Sequence, residues 1–213
     1  MLTRDQKKMV LFALYLTSMV LVNTLGSKIT TLGSVRASVG VFFMPILFLV
    51  TDVVGEVFGR KTSALFVNIS SAMLVFMFAM IGLCIALPPN PTWGLQESYQ
   101  TIFASSMRMT AASLVSFFIA QHVDVFTFSF MKRITKEKYL WVRNNVSTIV
   151  SQFIDTTIFM FIAFYHITDQ YTVPFIFSLI IPYWLFKVLF ALLDTPLCYL
   201  GVWWLKRESD EQP

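Results

Sequence analysis

Seven ionisable side chains interrupt stretches that are otherwise almost wholly apolar: Asp52, Glu56, Arg108, Asp124, Asp155, Lys187 and Asp194. In FFMPILFLVTDVVGEVFGRK, Asp52 and Glu56 stand four residues apart, on one face of a helix and one turn from each other, and Arg60 continues that face. The chemistry open to such a set is specific. A carboxylate accepts two parallel N–H bonds from an amino-imino edge, and Lys or Arg donates to a carbonyl oxygen. An aromatic ring such as those of Tyr183, Trp184 and Phe186, just before Lys187, can stack on the face of a flat solute. A carboxylate in a low-dielectric site can also take up and return a proton. The seven residues could therefore hold a flat polar heterocycle, with a small peptide, a vitamin or an amine fitting almost as well, or couple the passage of such a solute to a proton.

The elements that must position them are membrane helices. Of 213 residues, 56% are hydrophobic and only 13% charged, against about 25% charged in a soluble domain; mean hydropathy is +0.69. A spanning helix needs about 20 mostly apolar residues. Six stretches qualify, at 9–25, 39–59, 62–87, 101–131, 146–167 and 173–204, forming one integral membrane domain over 1–213. The fold class expected is all-α, a polytopic six-helix bundle. Its 3+3 division would allow an inverted repeat with Asp52 and Asp155 in corresponding spans, although the surrounding sequences share little.

The basic residues set the orientation. Twelve of the 16 Lys and Arg side chains fall on one side if the spans alternate: near residues 4–8, 60–61, 132–143 and 206–207. Only Lys28 and Arg36 fall on the other side. Cytoplasmic loops are the ones enriched in Lys and Arg, so both termini are expected in the cytoplasm. The net charge of +4 is then a topology signal and calls for no nucleic-acid partner. The first span lacks an Ala-x-Ala cleavage site and is expected to be retained. Cys84 and Cys198 lie in apolar runs and read as packing residues, and neither histidine is near the deep carboxylates.

A charge at mid-membrane costs about 2.5–3.5 kcal/mol even on the lower scales, so these residues must face one another or a wet cavity. Arg108 and Lys187 are expected to offset the buried acids. Glu56 is expected to pair with Arg60 at the boundary, whereas Asp52 and Asp155, with no partner one turn away, are expected to share one central cavity. Asn23, Gln121, Ser151 and Gln152 add polar groups; Asn68 and Ser70 read as helix glue. Gln121 and Asp124 are three apart near the inner boundary, where Asp124 could cap a cavity or meet headgroups. Pro45, Pro182 and Pro196 stand close to the charges, and proline-interrupted helices beside midplane charges are a transporter pattern.

The segments LFLVTDVVGEVFGRK, MRMTAASLVSFFIAQHVDVFTF, SQFIDTTIFMFIAF and FKVLFALLDTP, in this order, resemble the queuosine precursor transporters, vitamin-uptake-like proteins of bacterial inner membranes. The resemblance runs from about Asn23 to Pro196 and implies six spans and import of a 7-deazaguanine precursor of the tRNA nucleoside queuosine. It carries over onto Asn23, Asp52, Arg108, Gln121, Asp124, Asp155, Lys187 and Pro196. With Trp184 added from the aromatic reading, the expected substrate-binding set is Asn23, Asp52, Arg108, Gln121, Asp155, Trp184 and Lys187. Glu56, Arg60, Asp124 and Asp194 are the expected structural or boundary charges. No cofactor and no metal is expected. The alternative is a substrate-binding membrane subunit served by a separate ATPase, since the chain has no GxxxxGK[ST] of its own. An intramembrane enzyme is disfavoured by the lack of HExxH and GxSxG.

Overall fold

A computed structural model of the chain describes residues 2–206 except 34, 137–139 and 194. Helix α1 (Arg4–Leu25) opens on a capping box: Thr3 Oγ1 accepts from the Gln6 N–H at 3.3 Å, and Gln6 Oε1 accepts from the Thr3 N–H at 2.9 Å. Beyond Gly26 the chain forms an antiparallel hairpin, β1 (Ile29–Leu32) and β2 (Val35–Ser38), in register Ile29 to Ser38. Gly33 takes φ +62° at its turn, the left-handed region that glycine enters without strain. Ser38 ties the hairpin back, donating to the Gly26 carbonyl at 2.5 Å and accepting from the Gly40 N–H at 3.1 Å. A short 3-10 turn, Val39–Phe42, leads into α2 (Met44–Phe58), whose first turn contains Pro45, where a missing N–H costs nothing.

Gly59 alone, at φ +85°, separates α2 from α3 (Arg60–Ala86). The chain continues through α4 (Gln96–Ile134), α5 (Leu140–Phe164), α6 (Val173–Leu193) and α7 (Thr195–Lys206). Six of these segments are long and apolar enough to cross a membrane, as the sequence indicates. The protein is an all-α, multi-pass membrane protein. Its exposed side chains include Phe118, Phe126 and Leu200, the surface a bilayer covers.

One feature differs from expectation. The hairpin falls where only a loop is implied between the first two spans. The sixth span, expected over 173–204, is helical on both sides of residue 194, as α6 and α7, and residue 194 itself lies outside the described residues. Pro196 stands in the first turn of α7, a position where proline is tolerated. Helix α7 packs on α2 at Gly201, where an added Cβ would lie 2.6 Å from Val53 Cγ2; the bare backbone permits that approach. The element order does not itself display a 3+3 repeat: the hairpin joins α1 to the α2 segment, whereas only residues 135–139 separate α4 from α5.

The bundle has two distinct ends. At one, Arg4 donates to the Val57 carbonyl at 3.2 Å and Lys7 to the Trp204 carbonyl at 2.7 Å. The start of α1 and the ends of α2 and α7 thus meet at a basic end. At the other, the hairpin end, the Arg36 guanidinium lies over the Phe175 ring, 5.3 Å from its centre. Beneath the hairpin a dry core joins Val41, Met109, Met160, Phe164, Ile176 and Ile180. A second apolar cluster, Tyr15, Val50, Val54 and Phe66, holds α1 to α2 and α3.

Candidate functional site

Asp155 on α5 is the centre of the polar interior. One carboxylate oxygen accepts from Lys187 Nζ of α6 at 2.7 Å, and the other accepts from Ser116 Oγ of α4 at 2.8 Å. Lys187 is 5% exposed and the Asp155 side chain 20%, so the pair is largely withdrawn from solvent while the carboxylate keeps one open side. The ammonium also faces the Tyr183 ring, 5.7 Å from its centre. Pro182 stands five residues before Lys187, within α6; it removes one intrahelical N–H and loosens the helix next to the ion pair. A turn along α4, Ser113 Oγ donates to Asn23 Oδ1 of α1 at 2.7 Å, and Asn23 Nδ2 donates to the Met19 carbonyl at 2.8 Å. Four helices are thereby joined by polar contacts in the bundle interior.

These groups line a cavity of about 360 Å³, within the range of about 300–1,000 Å³ usual for small-molecule sites. Asn23, Ser113, Ser116, Gln121, Asp124, Ser151, Gln152, Asp155 and Lys187 supply its polar wall, and Phe48, Phe117, Phe159 and Tyr183 its aromatic wall. Asn23, Ser116, Phe159 and Tyr183 are buried, whereas Gln121 and Thr148 are exposed and Asp124 half-buried. The cavity is therefore closed toward the hairpin end, where the dry core sits, and opens toward the basic end. Inside it, the Gln152 side-chain oxygen is buried with no hydrogen-bond donor. Among the described residues Asp124 accepts one hydrogen bond, from Ser151 Oγ at 3.1 Å.

Of the expected substrate-binding residues, Asn23, Gln121, Asp155 and Lys187 line this cavity together. Three others do not. Among the described residues Arg108 pairs with no acid: its Nε and Nη2 donate to the carbonyls of Ile162 and Tyr165, each at 2.5 Å. A cation at the C-terminal turn of α5 meets carbonyls that have no intrahelical donor and the negative end of the helix dipole. Trp184 turns to α5, with Nε1 donating to the Ile149 carbonyl at 3.3 Å and its ring packed edgewise on Phe153. Asp52 lines a different depression.

That depression is an open groove of about 1070 Å³ between α2, α3 and α7, near the basic end. Asp52, Glu56, Arg60 and Lys206 line it, with Cys198 and Trp203 on its α7 side. Asp52 and Asp155 thus face two spaces instead of one; Thr51 and Val67 belong to the lining of both. Glu56 and Arg60 share the groove, but among the described residues no ion pair joins them. Cys198 borders the groove and Cys84 is exposed, so neither is a core packing residue. Asp194 lies outside the described residues.

Asp124, expected as a boundary charge, is a lining residue of the cavity. Ser113 and Ser116 were not singled out from sequence. Their signal was the spacing Ser113, Ser116, Ala120, Asp124 on α4, small residues at intervals of three and four that mark a closely packed helix face.

A bundle of apolar helices around a closed-end polar cavity is the architecture of a solute carrier. Residues 38–201 match a family model described as "Putative vitamin uptake transporter". The chain belongs to that family and is a membrane transporter. It is 31% identical over 174 residues, 81% of its length, to a Bacillus subtilis (strain 168) protein named "Probable queuosine precursor transporter", of which the match covers 74%. No solved structure matches the chain.

Proposed function

We propose that the chain imports a 7-deazaguanine-type precursor of queuosine (7-cyano- or 7-aminomethyl-7-deazaguanine, or queuine) across the bacterial inner membrane for tRNA queuosine salvage. The similarity to the Bacillus subtilis protein supports the substrate class. The observation that carries the reading is the cavity around Asp155, with amides, one ammonium, carboxylates and aromatic rings on one wall system. A deazaguanine presents a donor-rich amino-imino edge, a carbonyl oxygen and a flat face, and each has a counterpart: the Gln152 and Asp155 oxygens, Lys187 Nζ, and Phe117, Phe159 or Tyr183. Asn23 and Gln121 complete the amide set. In this reading Arg108 and Trp184 fasten helices, and Asp52, Glu56 and Arg60 belong to the groove at the basic end. The basic end, with both termini, is cytoplasmic, so the cavity opens inward.

The test is uptake in a bacterial strain unable to make the precursor, scored by queuosine in its tRNA. The wild-type chain should restore queuosine when precursor is supplied, and Asp155→Asn at equal membrane abundance should not. Restoration by Asp155→Asn at the wild-type rate would reject the cavity as the transport site. Expression in a host lacking coupling ATPases separates a self-sufficient carrier from a binding subunit: uptake there by the chain alone supports the former.

A further inference from the structure

The cavity has a surplus of acceptors. Each Asp155 oxygen already has one donor, Lys187 or Ser116. Two other acceptors are less well supplied. The Gln152 side-chain oxygen is buried without a donor. Asp124 has only the Ser151 hydroxyl, and among the described residues no cation pairs with it. The lining therefore contains two carboxylates, Asp124 and Asp155, against one ammonium, Lys187. Leaving a buried acceptor such as the Gln152 oxygen without a donor costs about 1–3 kcal/mol; Asp124 is half-buried, and what it lacks is a counter-ion. A ligand that brings N–H groups and a positive charge meets both needs. A neutral ligand meets only the first.

Position adds to the charge argument. Gln152 on α5 is one residue from Ser151, the donor to Asp124 of α4, and three residues before Asp155, so both under-satisfied acceptors lie about one turn from the ion pair, on the same side of it. Asp124 and Gln121 are three apart on α4 and lie on its half-exposed stretch, toward the open end. A flat base with its N–H edge at Gln152 and Asp155 would project a side arm toward Asp124. An ammonium on that arm would give Asp124 the charge-assisted bonds that Ser151 alone does not supply.

We propose that Asp124 recognises a protonated amine on the substrate, so that among deazaguanine precursors the site selects the cationic aminomethyl form over the neutral cyano form. This rests on the precursor reading above and goes beyond it in naming the selected form and the residue that selects it.

The experiment is direct binding to the purified full-length chain in detergent, using 7-aminomethyl- and 7-cyano-7-deazaguanine as the two probes. The wild type should bind the amine at least about tenfold more tightly, the scale of one charge-assisted hydrogen bond. Asp124→Asn, with its melting temperature checked against wild type, should lose that preference through weaker amine binding while cyano binding changes less than about twofold. Asp124→Glu keeps the charge and should keep the preference, which guards against a folding defect in the amide variant. An unchanged amine-to-cyano ratio in Asp124→Asn overturns the proposal, as does equal binding of both probes by wild type. Binding of neither probe by a well-folded wild-type chain overturns the precursor reading itself, an outcome distinct from a lost preference.

Discussion

Lys187 and Asp155 meet at 2.7 Å across the interface of α6 and α5, and the second Asp155 oxygen is held by Ser116 of α4. The pair answers how each charge is tolerated at depth: each is the other's solvent. The attraction is large in low dielectric but is offset by desolvation, so the pair as a whole adds little stability. Its removal by halves is a different matter.

Lys187→Met leaves the Asp155 carboxylate without a cation. Breaking a buried pair on one side costs about 3–5 kcal/mol; the open side of Asp155 puts the expected loss at the lower end. The double variant Lys187→Met, Asp155→Leu should recover most of that loss. Thermal unfolding in detergent checks both, and a double variant no more stable than the single one would contradict the pairing.

Arg108→Ala should destabilise by about 2 kcal/mol, the scale of a partly buried cation at a helix C-terminus. It should leave substrate affinity unchanged in the folded protein, because Arg108 holds backbone carbonyls and does not line the cavity. Melting temperature and precursor binding, measured on one preparation, separate the two effects.

Asp52→Asn and Asp155→Asn should part company in a binding assay. Asp155→Asn should weaken precursor binding by about tenfold or more, as expected when a charged hydrogen-bond partner is lost. Asp52→Asn should stay within about twofold of wild type, since Asp52 lines the groove and not the cavity. Equal losses in both variants would mean that the two spaces act as one site.

Topology is checked with reporters. One fused after Pro213 should be cytoplasmic, and one inserted near Asn90 external. The same location for both would contradict the alternation of six spans.

Hydropathy and charge asymmetry made the bundle legible in sequence, because lipid imposes a length and a composition on each span. The hairpin was missed because its strands hold four residues each, too few to show alternation. At the site, depth flagged Asp155 and Lys187, which line one cavity, but could not assign partners. Arg108 looked like a counter-ion for an acid, and the groups that hold it are backbone carbonyls, which carry no residue-type signature. Asp52 lies on the same helix as Thr51 of the cavity wall, yet one residue's rotation about α2 turns its side chain to another space.

The dry core between the cavity and the hairpin end also acts as electrical insulation. Water entering the cavity from the basic end would bring that side's potential with it, and the membrane voltage would then fall mainly across the apolar layer of Val41, Met109, Phe164 and Ile180. With the basic end cytoplasmic, a cargo bearing one positive charge that passes from the hairpin side into the cavity traverses nearly the whole field. Each 100 mV of inside-negative potential is then worth about 2.3 kcal/mol, an accumulation of about fiftyfold. For such a cargo, voltage alone would drive uptake without a second transported ion.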